Sequence, residues 1–394
     1  MPFLTALALV LLIQWLHWRL LRLELPDRTH RALPWVLLAL HLPLIAYGVL
    51  RAVGLGGITA LPAVRTLGRA GFYFQALTVL HLLFALAAQA LWRLVRRVAP
   101  EEAPEEAPLE PGRRAFLRTA ALASAGTALA LGARGSREAY GDPEITRHEV
   151  AFPDLPPGLD GLRIAHLSDL HAGPLVGAAT LARWRLLAER ERPDLAAFTG
   201  DLVDTRPEEL ADLLGAFQGF EPPLGRFVVL GNHDYFEDPR PIWKALAQAG
   251  YRCLENEAEV VVRAGDRLAV MGLQDPMARN GRFRRIPFGP GPRPQQATRH
   301  VPADAFRLCL NHRPSEWEAA LAAGARLTLS GHTHGGQINL VPGISSARLI
   351  GPRTEGFFRQ GGQVLYVSRG LGVVGLPVRL GARPELAILT LRRG

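Results

Sequence analysis

Lysine is nearly absent from this chain of 394 residues, since Lys244 is the single lysine among 45 basic side chains and arginine supplies the rest. The formal net charge is +9. A basic balance is typical of proteins that meet an anionic membrane, an anionic substrate or nucleic acid, but an arginine-rich composition gives the same value without any of them. Net charge alone therefore identifies no partner.

Cysteine is also scarce. The two cysteines, Cys253 and Cys309, lie in strand-like runs and lack C-x-x-C spacing. A disulfide framework needs several paired cysteines, and a structural zinc site needs closely spaced ones, so neither is predicted.

Charged side chains are missing from three N-terminal segments: residues 3–16, 32–50 and 70–92. The latter two approach the roughly 20 residues that a bilayer helix needs, and none shows the polar face of a soluble helix. We therefore predict about three transmembrane helices over residues 1–97. His41 and His81 fall inside these segments, where a hydrogen bond to a neighbouring helix is favoured over a haem or metal site.

A change of composition follows this region. Residues 98–112 are rich in Pro, Glu and Ala, have little to bury, and predict an extended linker. Arg113 and Arg114 then precede an uncharged run that ends at Ala133. Residues 113–134 resemble an internal twin-arginine export signal, and a fourth membrane helix is the alternative.

The arginines between the apolar segments predict an orientation. Four lie between the first and second segments, three between the second and third, and five after the third as far as Arg114. By the positive-inside rule the first and third groups face the cytoplasm. The expected location is therefore the cell membrane, multi-pass, with an extracytoplasmic domain over residues 145–394.

This domain has the pattern of an α/β protein in which polar motifs follow short apolar strands. The predicted strands are Leu162–Leu167, Leu195–Thr199 and Phe227–Leu230, and the predicted helices include Ala179–Arg190 and Pro207–Phe217. The motifs are Ser168-Asp169-Leu170-His171, Gly200-Asp201-Leu202-Val203-Asp204, Gly231-Asn232-His233-Asp234, Asn311-His312-Arg313 and Gly331-His332-Thr333-His334. Because ligands bind at the carboxyl ends of strands in such sheets, we expect these side chains to converge.

The donor types in these motifs predict a two-metal site. Carboxylates, imidazoles and one amide, with no thiolate, suit Mn, Fe or Zn in a catalytic site better than structural zinc. One metal would not use so many ligands. Two metals about 3.5–4 Å apart share a carboxylate, activate a bridging water and hold phosphate oxygens during in-line displacement.

The motif order DxH, GDxxD, GNHD, a later histidine and GHxH resembles the calcineurin-like metallophosphoesterases from about Leu162 to Arg392. The form GHTHGGQ, with the segment Tyr366 to Gly372, is similar to a bacterial membrane-associated or twin-arginine-exported branch related to UDP-diacylglucosamine pyrophosphatases. The resemblance implies an αββα sandwich of two mixed β-sheets flanked by helices. It also implies a set of metal ligands: Asp169, His171 and His334 for the first metal, Asn232, His312 and His332 for the second, and Asp201 as the bridge.

Three further residues receive expected roles. The resemblance implies that His233 donates a proton to the leaving oxygen, with Asp234 orienting its ring. Arg313 directly follows the later histidine, where it departs from the family pattern. Two roles are open for it: contact with a phosphate group, or an ordinary position on the surface.

The sequence thus predicts a membrane-anchored phosphoric ester hydrolase that depends on two divalent metals. Its expected substrate is a phosphomonoester or phosphodiester, and lipid-linked or cell-envelope esters are included. Neither nucleic acid nor an obligate protein partner is expected. Two alternatives stay open. A cytoplasm-facing nucleotide phosphodiesterase needs the reverse topology, and a non-catalytic metal-binding scaffold needs missing ligands, of which none is missing.

Overall fold

The computed structural model describes residues 11–16, 18–19, 32–52, 62–98, 110–281, 287–341 and 343–394. The chain divides into two compact units. One comprises Met1–Arg137 and Gly375–Val378, and the other comprises Glu138–Val374 and Arg379–Gly394.

The N-terminal unit contains long helices: α1 (Leu33–Ala52), α2 (Pro62–Val98) and α3 (Glu110–Tyr140), the last of which runs on into the second unit. His41 on α1 is fully buried, and its Nε2 lies 2.7 Å from Oε1 of Gln75 on α2. Its Nδ1 lies 2.9 Å from the carbonyl oxygen of Leu37, one turn earlier in the same helix. His41 therefore makes the interhelical hydrogen bond that the sequence favoured.

In the described part of the chain, no helix combines the length and the apolar character that crossing a membrane requires. The predicted membrane spans thus have no support from these helices. Residues 3–10 of the first predicted span and 99–109 of the predicted linker lie outside the described residues. Residues 110–112 were expected in the linker but form the start of α3, where Pro111 is tolerated because a first-turn N–H has no intrahelical partner to lose.

The second unit contains two six-stranded sheets in the described residues. Its strands are β1 (Glu144–Phe152), β2 (Arg163–Leu167), β3 (Leu195–Thr199), β4 (Arg226–Val229), β5 (Arg252–Cys253), β6 (Glu257–Arg263), β7 (Asp266–Gly272), β8 (Phe306–Leu310), β9 (Leu327–Ser330), β10 (Gly356–Gln360), β11 (Gln363–Val367) and β12 (Glu385–Arg393). The orders are β1-β12-β2-β3-β4-β5 and β10-β11-β9-β8-β7-β6. Strand β12 pairs antiparallel with β2, as β6 does with β7 and β10 with β11, whereas the remaining neighbours are parallel. The predicted pair of mixed sheets is confirmed.

Shorter helices accompany the strands: α4 (Ala178–Arg190), α5 (Leu210–Ala216), α6 (Arg240–Gln248), α7 (Pro294–Ala297) and α8 (Trp317–Ala322). Helix α4 buries Leu181, Trp184 and Ala188, whose spacing of three and four residues places them on one face. The predicted helix over Pro207–Phe217 is divided, because a 3₁₀ turn over Pro207–Glu209 precedes α5.

The core is built by strict alternation of side chains along the strands. On β8, Leu308 and Leu310 join one buried cluster that contains residues of both sheets, whereas Cys309 between them joins a second cluster with Trp317 of α8. Successive strand side chains point to opposite faces, so one face of this sheet packs on the other sheet and the opposite face packs on helices. The carboxyl ends of the parallel strands in both sheets then lead into the polar motifs.

Candidate metal centre

All seven predicted metal ligands follow strand ends and come together with His233. Asp169 and His171 follow β2, Asp201 follows β3 and Asn232 follows β4, while His312, His332 and His334 follow β8 and β9. The potential ligand atoms form three groups, within each of which every atom lies within 4.8 Å of the others: Asp169, His171 and His334; His171, Asp201 and His233; Asp201, His312 and His332. Asp201 belongs to two of these groups.

The first half of the site surrounds His171. Its Nε2 lies 3.1 Å from Nε2 of His334 and 3.6 Å from Oδ2 of Asp201. The Nε2 of His334 is in turn 3.5 Å from Oδ1 of Asp169. These distances place four donor atoms around one small volume.

The second half surrounds His312. Its Nε2 lies 3.4 Å from Oδ2 of Asp201, 3.2 Å from Oδ1 of Asn232 and 3.2 Å from Nδ1 of His332. The Nδ1–H of His312 donates to the carbonyl oxygen of Thr199 over 2.8 Å, which directs its Nε2 toward the other donor atoms. The same oxygen of Asp201 therefore stands between the two halves.

The electrostatics of this cluster favour cations. Burial lowers the pKa values of His171 and His334 well below their usual range and that of His332 to about 3, so these rings are neutral and offer lone pairs. Burial also lowers the pKa of His312, but the Asp201 carboxylate outweighs that effect and raises it to about 10. A divalent metal fits where three neutral imidazoles and two buried carboxylates converge in this way, and at His312 it would replace the proton on Nε2.

The backbone of the site is strained. Five of the seven predicted ligands have a positive φ, between 46° and 72°: Asp169, His171, Asp201, His332 and His334. This left-handed region costs non-glycine residues on the order of 1 kcal/mol or more each, so surrounding contacts must hold it. The N–H of His332 donates to Oδ1 of Asp169 over 3.0 Å, and the N–H of His233 donates to Oδ1 of Asp201 over 2.8 Å.

Two motif glycines are required by close approach. A Cβ at Gly331 would collide with the carboxylate of Asp169, and a Cβ at Gly231 would collide with that of Asp201. The glycines of GHxH and GNHD thus make room for the carboxylates of the other motifs.

His233 is held differently from the sequence expectation. Its Nδ1–H donates to the carbonyl oxygen of Asp204 over 2.6 Å, and its ring lies against Phe236 at a centroid distance of 4.2 Å. The carboxylate of Asp234 accepts the backbone N–H groups of Gly231, Leu202 and Val203 at 2.8, 3.0 and 3.1 Å. Asp234 therefore braces the ends of β3 and β4, and the expectation that it orients His233 is corrected.

Arg313 lies at the site rather than on an unrelated surface. Its Nε donates to Oδ2 of the buried Asp275 over 2.7 Å, and its Nη1 lies 3.3 Å from Nε2 of His332. The ion pair fixes the guanidinium next to the second half of the metal centre.

Arg379 was missed by the sequence analysis. It is fully buried, and its Nη2 lies 3.0 Å from Nδ1 of His334. Its nitrogens also donate to backbone carbonyl oxygens: those of Gly372, Arg369, Ala382, Gly370 and His334. Burial lowers the pKa of its guanidinium to about 9, which leaves it cationic at neutral pH. A lone charge within the apolar run from Gly375 to Leu380 was the available signal.

Comparison with known proteins gives the family. A profile described as calcineurin-like phosphoesterase matches residues 162–336, which include every predicted ligand. An uncharacterized metallophosphoesterase of Aquifex aeolicus is 31% identical over 266 residues, covering 67% of this chain and 97% of the relative. The uncharacterized metallophosphoesterase YkuE of Bacillus subtilis is 30% identical over 292 residues, covering 71% and 97%.

A third relative is only partly covered. A Danio rerio protein named transmembrane protein with metallophosphoesterase domain is 31% identical over 258 residues, covering 64% of this chain and 58% of the relative. The predicted family is confirmed by these matches, whereas the predicted exported branch stays a prediction. Since the Aquifex and Bacillus relatives are matched over nearly their whole length, this chain belongs to the calcineurin-like metallophosphoesterase family.

Proposed function

We propose that this protein is a phosphoesterase that works with two divalent metals. The observation that carries the proposal is the position of Asp201, whose Oδ2 lies 3.6 Å from His171 Nε2 and 3.4 Å from His312 Nε2. One carboxylate oxygen between two groups of nitrogen and oxygen donors suits a shared ligand of two cations.

The proposed ligands divide between the two halves of the site. Asp169, His171, His334 and Asp201 would hold one metal; Asp201, Asn232, His312 and His332 would hold the other. A set without thiolate suits Mn, Fe or Zn. When bound, such metals supply Lewis-acid stabilisation of phosphoryl oxygens and an acidified water for in-line displacement.

His233 is suited to supply the leaving-group proton. The Asp204 carbonyl accepts the Nδ1–H and orients the ring, so a second ring proton on Nε2 would be the one passed to the leaving oxygen. The ring is half-buried beside His171, at a centroid distance of 4.6 Å. A general acid must lie this close to the metals without coordinating either of them.

Two arginines have proposed roles of different kinds. Arg313 is held by Asp275 beside His332, where its guanidinium can donate to a phosphoryl oxygen. Arg379 is too deeply buried to meet substrate, and it acts as a positioning residue by donating to backbone carbonyl oxygens, including that of His334.

The site geometry bears on one of the two alternative functions, the non-catalytic scaffold, and not on the nucleotide phosphodiesterase. A non-catalytic scaffold is not favoured, because the complete ligand set converges with His233. Whether the substrate is a cell-envelope phosphate ester or a nucleotide messenger depends on which side of a membrane the domain faces. Lipid linkage of the substrate, export of the domain and membrane location therefore stay predictions.

Replacing Asp201 by alanine should abolish turnover, with kcat/KM reduced by about 10³-fold or more, because the change removes a ligand of both halves. Metal content should fall below two per chain. Asp304→Ala is the matched control, since Asp304 makes an exposed ion pair with Arg267. Near-wild-type activity or two retained metals in Asp201→Ala would sink the proposal.

Replacing His233 by asparagine should leave both metals bound and remove about 10²–10⁴-fold of the activity on alkyl phosphate esters. Nitrophenyl esters should lose far less, because a nitrophenolate leaves without protonation. Parallel kinetics on both substrate types, with metal analysis, give the comparison. Equal losses would exclude the acid role, and loss of metal would make His233 a ligand.

Replacing Arg379 by methionine should weaken binding at the first metal by about 10–100-fold, because the carbonyl oxygen of His334 and those of the neighbouring loop lose the donor that holds them in place. Titration of metal into apo-protein measures this affinity, and unfolding of the apo-protein reports any loss of fold. Arg392→Met is the control, since Arg392 makes an exposed pair with Glu149. Unchanged metal affinity in folded Arg379→Met would remove the positioning role.

A further inference from the structure

The loop that follows the His334 turn is inverted in polarity. We use the name apolar loop for residues 338–341 and 343–350. In an ordinary surface loop polar side chains face water and apolar ones are covered. The apolar loop does the reverse, with its polar side chains turned inward and its large aliphatic side chains turned outward.

The inward side chains fasten the loop to the turn that carries His334. Ser345 Oγ donates to the carbonyl oxygen of Gly335 over 2.9 Å, and Ser346 Oγ donates to that of Gly336 over 2.6 Å. Asn339 Nδ2 also donates to the Gly335 carbonyl oxygen over 2.9 Å, while its Oδ1 accepts the N–H of Ser346 over 2.9 Å. The loop is therefore a defined structure attached directly to a proposed metal ligand.

The outward side chains are five aliphatic residues: Leu340, Val341, Ile344, Leu349 and Ile350. Leu349 is 92% exposed and Ile350 is 71% exposed, and the other three are between 49% and 55% exposed. Single exposed apolar residues are normal, but five within eleven positions mark a surface that functions in contact with something apolar.

The composition of the segment favours lipid over protein as that contact. Residues 338–354 contain neither an aromatic nor an acidic residue, whereas protein interfaces are enriched in aromatic anchors. Arg348 is exposed among the aliphatic side chains and makes no ion pair with another described residue. Aliphatic side chains with an unpaired arginine match the acyl boundary and the phosphate level of an anionic bilayer.

We propose that the apolar loop inserts into the interface of an anionic lipid bilayer, with its five aliphatic side chains in the acyl boundary and Arg348 at the phosphates. Insertion would hold the His334 edge of the site against the lipid surface. This docking does not depend on the proposed catalysis, and it concerns residues outside the N-terminal apolar segments.

A fluorescent probe at position 349 tests insertion in the full chain. The chain carries Leu349→Cys in a Cys253→Ser background, and the remaining Cys309 is buried, which raises the pKa of its thiol to about 12 and keeps it from reacting with the label. Val262→Cys is the matched control, because Val262 is an exposed aliphatic residue on β6. The labelled chains are mixed with vesicles of phosphatidylcholine, alone or with phosphatidylglycerol, that carry brominated acyl chains.

The proposal expects a blue shift and strong quenching at position 349, little change at position 262, and deeper quenching when phosphatidylglycerol is present. Adding Arg348→Gln should lower the insertion constant in anionic vesicles by about fivefold. An unquenched probe at 349, or equal quenching at 262, would overturn the proposal. A concentration-dependent shift without lipid would overturn it too, since a second copy of the chain would then cover the loop.

Discussion

The buried carboxylate of Asp201 is the constraint on which the rest of the site depends. Burial raises the free energy of its anion, and His312 and His233 hold its pKa well below the usual range against that effect. A buried anion of this kind is stable only among cations and hydrogen-bond donors. The surrounding histidines, the His233 N–H and the room made by Gly231 all serve this one group.

Strain follows from the same requirement. Carboxylates and imidazoles from both sheets must point inward within a few residues of their strand ends, so the chain turns sharply at Asp169, Asp201 and His334, each with a positive φ. The parallel strands supply the compensation, because their neighbouring loops exchange backbone hydrogen bonds, such as Asp169 N–H to the Gly200 carbonyl oxygen at 3.0 Å. Fold and site are therefore coupled: the sheets hold a geometry that the loops alone would not adopt.

Much of this arrangement was predictable because it is local in sequence. Strand β3 has the predicted bounds, Leu195–Thr199, because a short apolar run before a glycine-aspartate turn is typical of a buried strand. The same local logic predicted that the motifs, which follow strands of both sheets, would converge. The acceptor for His233 was not predictable, because it is a backbone carbonyl, and backbone atoms leave no trace in residue identity. Arg379 was hidden for a related reason, since only the tertiary fold brings it to His334 across 45 positions.

The central claim is that Asp201 joins two metals in one site. Electron paramagnetic resonance of the full chain, reconstituted from apo-protein with Mn²⁺, measures this most directly. The account predicts two tightly bound ions per chain and the spectrum of an exchange-coupled pair, as expected for ions about 3.5–4 Å apart. One bound ion per chain, or two with the six-line spectrum of isolated Mn²⁺, would contradict it.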